Sequence, residues 1–474
     1  MSAWQSEEQR CGVVLREVFG WLDGRSLARA GAACRTWRRA AAEPAHWRRL
    51  LRAAPGPAGA LVSWRQEYVW SRAGWRLAAQ HRAPDTLLHA ALAPGDPALL
   101  ALAGADASAA VWQREAGAWR EAGRACLRER GWSAVARAHW AGRRRLLLAG
   151  PLALVADWEL VVLRVEEDGR CGSVASRVRC SAGAAGCWAD AAGDTFFSFE
   201  LHRLGVGLYC TTVWLNSATQ ETESEYAGVT SPLLRIYNED GAHLTHALVA
   251  EVPREPPGDY LRALAPARAP AAGRVLVTGA GAALSAWRVW APRPPALHAR
   301  AGGGLAERVR RRRESRGAPE PDEPEPDEAA VRAACAAPEH CARLAAPLVG
   351  LALHERGRCM WAVCSDGSAA CVSVSALQVL ARVAAPGGAP GAGVHYVQPA
   401  AAGALVAWPA GGYSGRVWWL AAATCARGEA ALAHAGAAVC CVLVHDELLV
   451  LAGDELYVWR SRATPQWEPR DEDA

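Results

Sequence analysis

The sequence predicts a mainly β protein: a β-propeller, with seven blades preferred and eight allowed, preceded by a small all-α module. Three observations predict it. Residues 11–52 read as helical, and helical periodicity fades by about residue 85. Beyond about residue 85 it gives way to short Val/Leu/Trp runs separated by Gly, Asp and Pro turns. An apolar run closing on Trp or another large side chain then recurs, mostly at roughly the 40–45-residue period of a four-stranded blade.

In the helical stretch, Val14, Leu15, Val18, Phe19 and Leu22 recur at helical spacing and form one apolar stripe. Asp23-Gly24-Arg25-Ser26 interrupts it; Gly24 suits a C-cap and Ser26 an N-cap. A second short helix is expected from Leu27 to about Ala33, and a third from Arg35 to a point before Pro44. Trp47 and Leu50 start another apolar face. Three short helices bury little area by themselves, so a partner is expected to cover part of the stripe.

The recurring run takes the forms Ala109-Ala110-Val111-Trp112, Leu160-Val161-Val162-Leu163, Thr212-Val213-Trp214-Leu215 and Leu234-Arg235-Ile236-Tyr237. It continues as Leu284-Ser285-Ala286-Trp287, Cys371-Val372-Ser373-Val374, Arg416-Val417-Trp418-Trp419 and Leu456-Tyr457-Val458-Trp459. Trp214 and Ile236 are too close for two blades and share one. A single blade cannot bury both its faces, whereas radial stacking buries them and leaves only short edges.

These signals divide the chain. An N-terminal tail spans 1–10, the helical module 11–52, and a helical or irregular connector 53–84. The first part of the propeller spans 85–291 and the second 347–462. Between them, 292–346 carries Arg310-Arg311-Arg312-Arg313 and then Pro319-Glu320-Pro321-Asp322-Glu323-Pro324. Opposite charge blocks with alternating Pro cannot pack a core, so this is expected to be a disordered, solvated loop. Residues 463–474 form an acidic tail.

Composition sets the outer limits. The chain has 474 residues, 51% hydrophobic and 21% charged, which is globular with ample material for a core. Arg supplies all 52 basic charges, and the net charge of +4 creates no field that demands nucleic acid or an anionic membrane. The longest apolar candidate, Leu146 to Val165, is broken by Asp157 and Glu159, and Met1 to Glu8 does not read as a signal peptide. A cytoplasmic location with reduced thiols follows, and the nucleus is open to it as well.

The 15 cysteines contain no C-x-x-C pair. Cys359, Cys364 and Cys371, like Cys335, His340 and Cys341, read as small thiols and incidental neighbours rather than zinc ligands. Gly411-Gly412-Tyr413-Ser414-Gly415 lacks the spacing of a nucleophile elbow, and His202 and Asp190 read as a structural hydrogen-bonding pair. No catalytic residue, metal or cofactor is expected.

Residues 11–52 resemble the F-box, the helical module that docks receptors onto the Skp adaptor of cullin–RING ligases. The matching residues are Val14-Leu15, Val18-Phe19, Leu22-Asp23, Leu27, Cys34-Arg35-Thr36-Trp37, Pro44 and Trp47, with Arg10-Cys11 where the family opens on Leu-Pro. Further on, Gly186-Cys187-Trp188, Leu201-His202-Arg203-Leu204-Gly205 and Val213-Trp214-Leu215-Asn216 are similar to the F-box/WD repeat-containing protein 5 family. The resemblance implies a WD-type propeller and an SCF-type receptor that binds the Skp adaptor and cullin and brings target proteins to ubiquitination and degradation. It implies adaptor-binding roles for Val14, Leu15, Val18, Phe19, Leu22, Leu27, Cys34, Trp37 and Trp47, and leaves the substrate-binding residues unassigned. It also allows docking to the cullin-4 WD-binding adaptor. A non-ligase WD-repeat scaffold with a vestigial F-box stays open beside it.

Overall fold

A computed structural model describes residues 14–51, 65, 68, 75–155, 157–183, 186–205, 207–220, 229–239, 242–252, 273–288, 328–354, 357, 359–384, 396–402, 405–409, 416–421, 426–431, 438–444 and 447–461. The terminal segments, Gly411-Gly412-Tyr413-Ser414-Gly415 and most of the charged stretch, including its Arg run, lie outside them.

Among the described residues the module at the amino-terminal end has four helices where the sequence pattern predicts three: α1 (14–20), α2 (Gly24–Ala33), α3 (Arg35–Ala41) and α4 (Pro44–Leu51). The cap is also displaced. Asp23, not Ser26, caps α2, its carboxylate accepting the Ser26 N–H at 2.8 Å, and Gly24 opens the helix rather than closing one. A Cβ at Gly24 would lie 2.1 Å from the Tyr68 ring, so Gly24 is there for close packing. Asp23 satisfies an N–H that the helix cannot, and that hydrogen bond holds its carboxyl below the ordinary range.

Among the described residues, the strands from Trp75 onward build the propeller. Among the described residues the strands form seven four-stranded antiparallel sheets. Six are sequential, spanning 87–126, 137–180, 187–237, 244–343, 348–383 and 400–431. The seventh combines three strands from 438–461 with Trp75–Arg82. The innermost strand of each blade touches that of the next, and the innermost strand of the seventh, Ala438–Val444, touches that of the first, Leu87–Ala93. The ring is therefore closed, and no sheet is left to bury its faces alone.

Trp75–Arg82 corrects the connector expected at 53–84. It is the outer strand of the last blade, pairing antiparallel with Glu455–Ser461 from Trp75 opposite Ser461 to Arg82 opposite Glu455. The boundary expected at 346 shifts for a similar reason. His340–Arg343 is the outer strand of blade 4, separated from its partner Ala283–Trp287 by the charged stretch and a short helix, α5 (Glu328–Ala333). The charged stretch is thus an insertion between the last two strands of one blade.

All but one of the recurring apolar runs fall on one strand type. Ala109–Trp112, Leu160–Leu163, Thr212–Leu215, Leu284–Trp287, Arg416–Trp419 and Leu456–Trp459 each lie in the third strand of a blade, and Cys371 begins the matching run in blade 5. Leu234–Tyr237 is the fourth strand of blade 3, so Trp214 and Ile236 do share a blade. Third strands have a neighbour on both sides, and their faces pack on adjoining blades, which selects continuous apolar runs. Turns into them also repeat. Asp106 accepts the N–H and hydroxyl of Ser108 at 3.0 and 2.6 Å, and Asp366 does the same for Ser368 at 2.9 and 2.6 Å. The middle residue is left-handed in both: Gly367 at φ +77° and, unusually, Ala107 at φ +62°.

Polar latches join the blades. The Trp140 indole donates to the Ala91 carbonyl of blade 1 at 3.0 Å, and the Trp188 indole donates to the His139 carbonyl of blade 2 at 2.8 Å. At the closing seam, Glu447 has no exposed surface. It accepts from Arg460 of its own blade at 2.6 and 2.8 Å, from Arg114 of blade 1 at 2.9 Å and from the Trp119 indole at 3.1 Å. Removing one partner of a buried ion pair strands the others and costs about 3–5 kcal/mol. Glu447→Ala is therefore expected to lower the unfolding free energy by about 3 kcal/mol in urea titration, near the low end because both arginines are partly solvated. A change below about 0.5 kcal/mol would show that Glu447 carries no weight in closure.

Candidate functional site

The helical module is built around Phe19, Leu27, Ala40, Ala41 and Trp47, with Leu15, Leu22, Leu50 and Tyr68 packed against them. Phe19 is 1% exposed. It meets the Trp37 ring edge-on at 5.4 Å and the His46 ring at 6.4 Å. Trp47 donates its indole N–H to the Ala41 carbonyl at 2.7 Å, packs on Tyr68 at 5.5 Å and lies under the Arg65 guanidinium at 5.8 Å. Burial pulls the His46 imidazole below its ordinary range. Two ties fix α1 to the rest: Arg16 pairs with Glu43, and Arg49 donates to the Leu22 carbonyl at 2.8 Å.

The nine residues read as adaptor-binding therefore separate. Phe19, Leu27 and Trp47 belong to the module's own core, because a helix of 3.6 residues per turn turns them inward. Cys34 is exposed, but its sulfur is engaged: Sγ accepts the Trp37 N–H at 3.5 Å and caps α3. Leu15 and Leu22 are half-buried. Val14 and Val18 are 62% and 51% exposed, and Trp37 is 40% exposed.

The reading as a single stripe missed a residue. Trp21 is 82% exposed, directly after α1 and bonded through its N–H to the Val18 carbonyl at 3.1 Å. Two interleaved sets run along α1, each at i, i+4 and i+7. Leu15, Phe19 and Leu22 face the core, while Val14, Val18 and Trp21 face solvent. The spacing of Trp21 was the available signal.

A second constellation lies on the propeller axis, on or beside inner strands. The Tyr396 ring stacks on His246 of blade 4 (5.5 Å, 18°) and lies near-parallel to His89 of blade 1 (6.2 Å, 29°). The Arg137 guanidinium of blade 2 sits 4.2 Å over the same ring, and His139 is 5.3 Å from His89. Burial depresses these imidazoles, helped by the Arg137 charge and, at His89, first by His139: His139 to about 4, His246 to about 3, and His89 well below its ordinary value.

His202 and Asp190 do not meet as a pair. Asp190 accepts from Thr195 and the Asp194 N–H, while His202 approaches Glu200 at 3.6 Å. Cys359, Cys364 and Cys371 are buried in blade 5. Among the described residues no three His, Cys, Asp or Glu side chains are grouped to hold a metal ion, and no helix is long and apolar enough to cross a membrane.

The depressed histidines set a pH dependence. The unfolded chain takes up protons near pH 6.5 while the folded chain stays neutral there, so stability is full above that pH and falls as pH drops toward the folded values. Each such histidine contributes up to about 1.4 kcal/mol per pH unit. Unfolding free energy is expected to fall between pH 6.5 and 5, and the slope to shrink in a His139→Gln, His246→Gln variant. An unchanged slope would assign the loss to other groups.

Residues 13–53 match the F-box-like family. F-box/WD repeat-containing protein 5 of Homo sapiens is 35% identical over 86 residues, 18% of this chain and 15% of that protein. The Rattus norvegicus and Mus musculus forms are each 34% identical over 76 residues, 16% of this chain and 13% of theirs. The matched stretch thus spans a small part of those relatives' length. Among solved structures, Saccharomyces cerevisiae Sqt1 superposes with a TM-score of 0.43 at 12% identity, covering 79% of this chain and 82% of that one. The chain combines an F-box-like module with a β-propeller and has partial similarity to F-box/WD repeat-containing protein 5.

Proposed function

We propose that this chain is the substrate receptor of an SCF-type cullin–RING ubiquitin ligase. The helical module docks a Skp-type adaptor, and the propeller holds target proteins for ubiquitination and degradation. The chemistry belongs to other subunits; this chain contributes by raising the local concentration of the target. The reading places the protein in the cytoplasm, with the nucleus also open to it.

One observation carries the docking step. Val14 and Val18 on α1, and Trp21 just after it, stand in solvent while the opposite face is sealed, within a module that matches the F-box-like family. Buried apolar surface contributes about 25 cal/mol per Å², so leaving a Trp and two Val uncovered forgoes stabilisation that a partner groove recovers. Tryptophan is also the residue type that most often anchors such contacts. Phe19 and Trp47 support this face from beneath.

The test follows from that division. Phe19→Ala is a poor probe, since emptying a core phenylalanine costs about 3–5 kcal/mol and endangers so small a module. Val18→Asp combined with Trp21→Ala alters side chains that are 51% and 82% exposed and leaves the core residues in place. Titration against purified Skp adaptor is expected to show at least a tenfold loss of affinity, with helical circular dichroism unchanged. Wild-type protein that fails to bind the adaptor, or a double variant that binds as well as wild type, would defeat the proposal and favour a scaffold.

A further inference from the structure

The helical module holds the chain's excess of positive charge. Residues 14–51 carry eight arginines against three carboxylates, Glu17, Asp23 and Glu43, in a chain whose net charge is only +4. All eight arginines are exposed. The helices decide where they point. Gly24, Leu27 and Gly31 turn inward on α2, so Arg25 and Arg29, four apart, share its outer face. Ala40 and Ala41 are the buried residues of α3, which leaves Arg35 and Arg39, again four apart, outside. Like charges at that spacing on a helix repel. Of the few carboxylates nearby, Glu43 is engaged by Arg16 and Asp23 by the Ser26 N–H. Among the described residues no carboxylate pairs with Arg29 or Arg39.

The chain holds a complementary segment within reach. Residues 463–474 carry Glu468, Asp471, Glu472 and Asp473 against one arginine, Arg470. They follow Ser461, which lies opposite Trp75 in the closing ladder. On the other side of that pair, Tyr68 belongs to the helical module, packing on Trp47 at 5.5 Å and against Gly24. The seven residues from Tyr68 to Trp75 span at most about 25 Å. The thirteen residues after Ser461 span up to about 45 Å. Module and acidic segment are therefore tethered to one point of the propeller. Tethering of this kind gives an effective concentration on the order of millimolar, which lets ion pairs that are individually weak act together. Trp467 adds an aromatic face on which arginine stacks. The acidic block at 320–327 is a poorer occupant. Arg310-Arg311-Arg312-Arg313 precedes it in sequence, and Glu328 at its end accepts from Tyr237 of blade 3 at 2.9 Å.

We propose that the acidic segment 463–474 docks on the outer faces of α2 and α3 of the same chain, its carboxylates pairing with Arg29 and Arg39. These faces are separate from the one formed by Val14, Val18 and Trp21, and the inference does not depend on the adaptor-docking reading. Docked in this way, the segment makes the arginine faces available to another acidic polypeptide only when it is displaced.

The chain contains no lysine, which makes the contact directly testable. Arg29→Lys and Arg39→Lys each keep the charge and introduce one side-chain amine into the full chain. Zero-length carbodiimide coupling joins that amine only to a carboxylate touching it, and mass spectrometry of the linked peptides identifies the carboxylate. Coupling to residues 468–473 is expected in both variants, at least tenfold above that in Arg164→Lys, an exposed position on the third strand of blade 2. It is expected to fall at least fivefold in about 1 M sodium chloride, where the Debye length is about 3 Å. In a mixture of isotopically light and heavy chains, each linked pair is expected to carry a single isotope. Coupling to 468–473 no stronger than in Arg164→Lys, coupling to 320–327 in its place, or coupling indifferent to salt would overturn the proposal. Mixed-isotope links would overturn it as well, by assigning the contact to two copies of the chain.

Discussion

The outer edge of the last blade is supplied from the opposite end of the propeller sequence, by Trp75–Arg82 pairing with Glu455–Ser461. Each blade depends on its neighbours to cover its two faces, so the whole array depends on that seam being shut. The seam is fixed in three ways: the antiparallel ladder itself, the Arg82–Asp454 pair at 2.7 Å, and buried Glu447 tying blade 7 to Arg114 and Trp119 of blade 1. Closing the ring brings inner-strand residues far apart in sequence to one axis, where His89, Arg137, His246 and Tyr396 meet.

Much of this was legible because a physical repeat leaves a textual one. The third strand of each blade lies between two partners and two packed faces, so its apolar run survives even where glycine and alanine dilute everything else. That is why Trp112, Trp287 and Trp459 mark their blades. Strands at blade edges are less constrained, and the two errors of boundary both concern them. Trp75–Arg82 alternates weakly and reads as connector, since its pairing partner is at the far end of the sequence. His340–Arg343 hides behind a charged insertion, and a long insertion in a surface loop costs little because closure entropy grows only slowly with length.

The helical module shows a different limit. Apolar spacing along α1 reports that the helix has greasy surface, and it does not say which part is inward. Val14 and Leu15 are adjacent in sequence, as are Val18 and Phe19, yet they point about 100° apart. Only the packing of α2, α3 and α4 settles which set is sealed. Phe19 is taken by Trp37 and His46, and Trp47 by Ala41 and Tyr68. What remains is an outer face ending on Trp21. The axial cluster was illegible for a related reason: nothing in the sequence links Arg137 to Tyr396 until the ring is closed.

Burial at Phe19 and exposure at Trp21 together define the functional claim, that one face of α1 holds the module together and the other is left for another polypeptide. Hydroxyl-radical footprinting of Trp21, in the free chain and after addition of the Skp adaptor, measures this directly. The account predicts strong modification of Trp21 in the free chain and marked protection in the complex, with Trp47 protected in both. Trp21 shielded in the free chain, or equally reactive with and without the adaptor bound, would contradict it.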